Sequence, residues 1–331
     1  MSKKLNLTID DIARALGVSK TTISRAISGK GRISEATRER ILTYITEHNY
    51  RTNAAAKALA ENKTYNLAFV VPPSFVALDL PYVRKSMSAI AQEAYSHNYH
   101  LLLCLSTDED PSPLLRIIDR RKADGVILSR TVENDRLADI MVQRNIPFAT
   151  LGTLPPEHHG KATVEADHDQ IGGCRAFTQS FLHQGNGPLG ILGGNMQYIV
   201  NQSRYMGVQE AIVTEGIPDD SVHIQTGLST AEDCQEAVAR LLKKGVRRFL
   251  AMDDDICLHV IKALRAQGLR SPEDVQLASL IDSDVLASHQ IPALDFDAAE
   301  LGRVACRELL LHLESKPFNP TPLLGYRIPE R

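Results

Sequence analysis

From residue 66 onward, short apolar runs alternate with stretches whose apolar residues recur at helical spacing. The runs are NLAFVVP (66–72), HLLLCLS (100–106), GVILS (125–129), PFATLG (147–152), PLGILGG (188–194), SVHIQTG (221–227), RRFLAM (247–252) and VQLASLID (275–282). Their length and their Val, Ile, Leu and Phe content predict buried strands. The stretches 82–97, 113–121, 135–144, 170–184, 204–215, 231–243 and 256–267 predict helices. Strands joined by helices of this length form parallel, doubly wound sheets covered on both faces. The pattern restarts after a polar loop near residue 165, which predicts two α/β lobes with a cleft between them. In such sheets ligands bind beyond the carboxyl ends of the strands.

The first fifty residues follow a different rhythm. Thr8 is placed to cap a helix, and Asp10 and Asp11 follow in its first turn, where carboxylates suit the helix dipole. Ile9, Ile12, Ala13 and Leu16 share one helical face, and Gly17 ends the helix as a residue free to take positive φ. Val18 anchors the turn, Ser19 caps a second helix, and Ile23, Ala26 and Ile27 form its buried stripe. A third helix from Ser34 is expected to carry Ile41, Leu42 and Ile45 inward. Two short helices joined through a glycine make a helix-turn-helix, so this head is all-α. The second helix of that motif enters the major groove with its first residues nearest the base edges. Here those are Lys20 and Thr21, with Arg25 one turn on. Lys and Arg donate to guanine O6 and N7, and Thr serves either role. Thr22 and Ser24 are placed for phosphate or intrahelix contacts, and Thr8, Ser19 and Arg32 complete the expected DNA contacts.

Charge sharpens this division. Residues 1–63 hold twelve Lys and Arg against six Asp and Glu, whereas the remainder holds twenty-five against thirty-four. A basic head on an acidic body implies that only the head meets a polyanion. The 331 residues exceed one ordinary core. No apolar run predicts a membrane span, and the basic start lacks the apolar core of a signal peptide, so a cytoplasmic protein is expected. Cys104, Cys174, Cys234, Cys257 and Cys306 have neither disulfide nor metal-ligand spacing.

The stretch TIDDIARALGVSKTTISRAISGKGRISEATRERI (8–41) resembles the head of the lactose and galactose repressor family of bacterial regulators. The likeness is carried by V-S-x-x-T-I-S-R at 18–25 and S-x-x-T-R-x-R-I at 34–41, and it continues more weakly through the body. It implies a head (1–50), a hinge (51–63) and a periplasmic-binding-protein-like body (64–331). The expected lobes are about 64–165 with 296–323, and about 166–295 with 324–331. In relatives the hinge folds on operator DNA and a leucine wedges into the minor groove; by position this is Leu59, with Asn53 and Lys57 facing the backbone. Alone, the alanine-rich hinge is too short for a stable helix in water. Thr52 stands where the family usually has proline, which loosens the start of the hinge. A plain linker helix, with Leu59 packed on its own body, is the alternative.

The cleft residues follow from strand ends. The first strand runs into Ser74 and Phe75, and the third ends at Ser129 and Arg130. Arg204 and Asp282 match the family's effector-binding arginine and aspartate. Asp253 stands where the family commonly has asparagine, and Phe296 is placed to stack on a sugar ring. An arginine with two carboxylates suits a polyol and also admits an amine. The local alternatives are a helix neighbour for Arg204 and helix caps for Asp253 or Asp254; Asp254 is expected to be structural and Asp253 to face ligand.

Other classes fit worse. The chain has no G-x-G-x-x-G after its first strand, no Walker loop and no G-x-S-x-G elbow. His158, His159 and His168 lie in a polar stretch without cysteine partners and read as surface histidines. No enzyme activity, cofactor or metal is expected. A solute-binding protein would share the body but not the head. The expected partners are a near-palindromic operator, a second copy in a homodimer, and a small-molecule effector. The tetramerising tail of some relatives is not expected, since no heptads follow the body. The expected activity is repression released by a sugar; the alternative is a corepressor-activated regulator responding to a nucleobase or another non-sugar metabolite.

Overall fold

The structure is a computed structural model and describes residues 7–28, 31–48, 61–77 and 80–329. The hinge expectations at Thr52, Asn53, Lys57 and Leu59 lie outside the described residues. The chain divides into two units, Met1–Thr64 and Tyr65–Arg331.

The head contains α1 (Ile9–Leu16), α2 (Lys20–Ser28) and α3 (Glu35–Glu47). Thr8 caps α1 through a reciprocal box with Asp11, and Gly17 closes it at φ 64°. That left-handed turn lets the Val18 N–H reach the Ala13 carbonyl at 3.0 Å. Ile12, Ile23 and Ile41 are fully buried and form the point where the three helices meet. Leu42 was expected inward but is exposed, because its position is turned about 100° from Ile41 on α3. Tyr44 and Ile45, three and four residues on from Ile41, take that face instead.

The body opens with β1 (Asn66–Val71), a short helix α4 (Pro73–Ala77), α5 (Pro81–Ser96), β2 (His100–Leu105), α6 (Ser112–Asp119), β3 (Gly125–Leu128), α7 (Arg136–Arg144), β4 (Phe148–Leu151) and β5 (Val164–His168). With the last strand, β10 (Leu323–Leu324), these form a parallel sheet ordered β10-β5-β4-β3-β1-β2. Alternation along β1 shows why helices cover both faces. Leu67, Phe69 and Val71 pack with α5 and with α13 (Ala298–Leu313), whereas Ala68 and Val70 pack with α6 and α7.

The second lobe holds α8 (Gln170–His183), β6 (Leu189–Leu192), α9 (Ile199–Thr214), β7 (Val222–Gln225), α10 (Ala231–Lys243), β8 (Arg248–Ala251), α11 (Asp254–Ala266), β9 (Gln276–Ser279) and α12 (Asp284–Ser288). Its parallel sheet is ordered β7-β6-β8-β9. Phe249 and Ala251 face α10 and α11, and Leu250 faces α8 and α9. Helix α9 lies so close to α8 that a Cβ on Gly207 would stand 2.4 Å from the Ile171 carbonyl oxygen.

The chain leaves the first sheet after β5 and re-enters that lobe with α13. The expectation that the final strand joins the second lobe is corrected by β10, which pairs with Asp167 and His168 of β5. Only after β10 does the chain return to the second crossing, where Arg327 bridges Asp295.

Candidate functional site

On the head, α2 presents Thr21, Ser24 and Arg25 to solvent, together with Lys20, which ion-pairs with Asp10 while both remain exposed. The stem of Arg25 lies against Gly31, where a Cβ would stand 3.1 Å from Arg25 Cδ. Ser19 Oγ accepts the Thr22 N–H at 3.1 Å, and the two hydroxyls meet at 2.8 Å. Thr8 is likewise engaged in its cap, while Arg32 is exposed. The exposed row therefore combines cationic and hydroxyl donors on a rigid helix.

In the body the strand ends converge on the cleft. Arg204 sits in the second turn of α9, which begins at Ile199 rather than at Arg204 as expected. Its Nε donates to Gln170 Oε1 at 3.2 Å, and one terminal nitrogen donates to Asn201 Oδ1 at 3.4 Å. Both partners are neutral amides, and both are buried. The Arg204 charge is also felt at Asp253, at Asp254 and at the Tyr82 hydroxyl.

Asp253 was expected to face ligand and Asp254 to be structural. Asp253 is also the cap of α11, with Oδ1 accepting the Ile256 N–H at 2.8 Å. Its Oδ2 lies beside Gly194, where a Cβ would stand 3.4 Å away. Burial pushes the Asp253 carboxyl up, and burial with the nearby Asp253 charge pushes Asp254 up to about 6. Asp282 is half-buried after β9, where its N–H donates to the Leu294 carbonyl at 2.8 Å.

Across the cleft, Ser129 is buried and its Oγ has no partner among the described residues. Arg130 is committed to an ion pair with Asp108 and lies 4.0 Å from Asp135. Ser74 is exposed on α4, and Phe75 packs at 5.8 Å on Tyr198 of the opposite lobe. Beside that ring pair the lobes touch through backbone: the Glu133 N–H donates to Gln197 O at 2.9 Å and the Ile199 N–H to Thr131 O at 3.2 Å. Phe296 packs on His168 and Tyr326 at the lobe crossings, with ring centroids 5.2 and 6.4 Å apart.

The histidines depart from the surface expectation. His158 is buried with Nε2 at 2.6 Å from Asp139, and His168 is buried with Nδ1 at 2.9 Å from the Gly325 carbonyl. Only His159 is exposed, at 3.1 Å from Glu165. Among the described residues no group of three His, Cys, Asp or Glu is arranged to hold a metal. A separate groove of about 550 Å³ lies against Ile261, Arg265, Arg270 and His289 and contains none of the expected cleft residues. Sequence reasoning missed Tyr82, Asp167, Gln170 and Asn201. Asn201 alone carried a signal, standing one helical turn before Arg204.

Comparison with known proteins accounts for both units. Residues 8–53 match the model for bacterial regulatory proteins of the lacI family, and residues 178–331 match a periplasmic binding protein-like domain. The chain is 28% identical over 297 residues to the HTH-type transcriptional regulator DegA of Bacillus subtilis (strain 168), covering 88% of this chain and 86% of that protein. It is 26% identical over 317 residues to the HTH-type transcriptional repressor PurR of Haemophilus influenzae (strain PittEE), covering 93% and 92%. The fold superposes with a TM-score of 0.77 on the Lac repressor dimer bound to operator and the anti-inducer ONPF, at 18% identity over 98% of both chains. It also superposes with a TM-score of 0.72 on a complex of the transcriptional regulator CelR with cellobiose, at 23% identity over 98% and 99%. The head therefore carries the helix-turn-helix of the lacI family of bacterial regulatory proteins, the body a periplasmic binding protein-like domain, and the relatives that span nearly the whole chain are transcriptional regulators.

Proposed function

We propose that this regulator is a repressor that binds a near-palindromic operator as a homodimer and is controlled by a sugar held in the cleft. The observation that carries the sugar reading is the setting of Arg204. Two neutral amides hold the guanidinium, and no carboxylate among the described residues lies within ion-pair distance of it. Its remaining donors are available to ligand oxygens, while the uncapped oxygen of Asp253 accepts a hydroxyl. Donors and acceptors side by side match the hydroxyls of a polyol. The relative solved with cellobiose supports this reading.

The division into 1–50, 51–63 and 64–331 assigns DNA contact to the first two segments and effector and dimer contact to the third. Lys20, Thr21 and Arg25 read bases, and Leu59 is the wedge. Arg204, Asp253, Asp282 and Ser129 hold the effector, with Ser74 and Phe75 at the mouth. Arg130 acts through its ion pair with Asp108, and Phe296 through packing on His168 and Tyr326. Strand β2 is a sheet edge with Leu103 and Leu105 exposed, which supports burial against a second copy.

A thermal-shift panel of sugars, sugar phosphates and nucleobases tests the reading. A ligand that binds only the folded body raises its midpoint by mass action. A neutral sugar that raises the midpoint and weakens operator binding is the expected result. A midpoint raised only by nucleobases, with tighter operator binding, replaces it with the corepressor reading.

A further inference from the structure

We propose that Gln170 is a positioning residue, which holds the Arg204 guanidinium and ties it to the first lobe through Asp167. Gln170 is the first residue of α8, and its side chain is buried where the chain crosses between lobes. Its amide makes two bonds of opposite polarity. Oε1 accepts from Arg204 Nε at 3.2 Å, and Nε2 donates to Asp167 Oδ1 at 3.3 Å.

Asp167 continues the path. It is buried at the end of β5, and its Oδ2 accepts both the N–H and the hydroxyl of Thr153 at 2.9 Å. Its Oδ1 also accepts the His168 N–H at 2.7 Å. Thr153 follows β4 of the first sheet, and Arg204 belongs to α9 of the second lobe. Four consecutive side chains therefore link the two lobes.

An amide suits the middle of this path. A carboxamide accepts from a cation and donates to a carboxylate at once. Glutamate at 170 would accept from Arg204 but meet Asp167 with like charge, and leucine would serve neither partner. Buried polar groups with all partners in place are rigid, and one missing partner is felt along the chain of bonds.

This role rests on the effector reading only in its consequence, that a ligand on Arg204 is felt in the first lobe. The path itself is tested without ligand, so failure of the sugar panel and failure of the path are separate results. Hydrogen exchange at the Arg204 Nε–H and at the Thr153 amide is measured by NMR on the full chain. Wild type, Gln170→Leu and Gln170→Glu are compared, each with and without Arg204→Ala. Gln170→Leu is expected to speed exchange at Arg204 Nε about threefold or more, the worth of one modest hydrogen bond. Gln170→Glu keeps the acceptor and is expected to leave that exchange slow. Arg204→Ala is expected to speed the Thr153 amide in wild type and to leave it unmoved in both Gln170 backgrounds. The proposal is overturned by unchanged Arg204 exchange in Gln170→Leu, or by an equal Thr153 response to Arg204→Ala in all backgrounds. Should Gln170→Leu not fold, Gln170→Glu, of equal volume, decides through the Thr153 response.

Discussion

The Oδ1 of Asp253 accepts the Ile256 N–H at 2.8 Å, which fixes the start of α11 and leaves Oδ2 beside Gly194 at the end of β6. One carboxylate thus caps a helix and faces the cleft. The two roles separate on substitution. Asp253→Asn keeps a good cap and is expected to unfold in urea close to wild type, whereas Asp253→Ala loses about 1 kcal/mol. Both are expected to weaken the sugar found by the panel. Wild-type stability in Asp253→Ala would remove the cap from the account.

The neighbouring Asp254 gives a pH signature. Its carboxyl is pushed up to about 6 in the folded chain, from an ordinary 3.8. The folded state therefore keeps a proton that the unfolded state has released. Ionised Asp254 costs nothing below the unfolded value, and its cost is fully present once the pH passes the folded value. Asp254→Asn is expected to melt above wild type at about pH 8, with the difference closing toward about pH 4. An equal difference at both ends, read by calorimetry, would show that packing rather than charge separates the two proteins.

How far these sites were legible depends on the kind of signal. Strands such as 125–128 and 248–251 are apolar runs, and their parallel order follows from alternation with helices. Strand β5 escapes such a pattern, because its sequence VEADH places Glu165, Asp167 and His168 in buried positions. The two carboxylates find partners in the preceding loop, where Glu165 accepts the Leu154 and Gly160 N–H groups and Asp167 accepts from Thr153, while His168 bonds the Gly325 carbonyl. A pattern of apolar residues carries no trace of such pairing. Helix α13 was likewise passed over, and Arg204 was set at a helix start because NQS reads as loop when its burial is unknown. The head was legible almost to the residue, since caps, a glycine turn and three isoleucines are local signals. Leu42 failed because a third helix offers several plausible apolar faces.

Arg25 is expected to read a base rather than only a phosphate. Exposed on α2 with its stem over Gly31, it is placed to donate a bidentate pair to guanine. Arg25→Ala is expected to cost about 1–3 kcal/mol on the specific operator and much less on random DNA. Titrations at two salt concentrations check this, because a phosphate contact alone lowers both affinities together and reduces the salt slope by about one.

Gly207 tests whether the α8–α9 contact is built on close backbone approach. In an isolated helix, alanine is better than glycine by about 1 kcal/mol, so Gly207→Ala should stabilise α9 if the helix stood alone. Here the added Cβ would meet the Ile171 carbonyl oxygen at 2.4 Å and the Cys174 Cβ at 2.9 Å. The first obstacle is backbone, which a side-chain rotation does not relieve. Separating α8 from α9 also loosens Phe177, Phe181, Val208 and Ile212, the shared core of the pair. The expected net effect is a loss of about 1–3 kcal/mol, the usual range for overpacking, read as a lower melting temperature of the body. Gly325→Ala is the control, since nothing lies within 4 Å of its Cβ position and its φ is not in the left-handed region. Equal melting temperatures for the two variants would mean that α8 and α9 slide apart without cost, and that the close approach does not hold the lobe together.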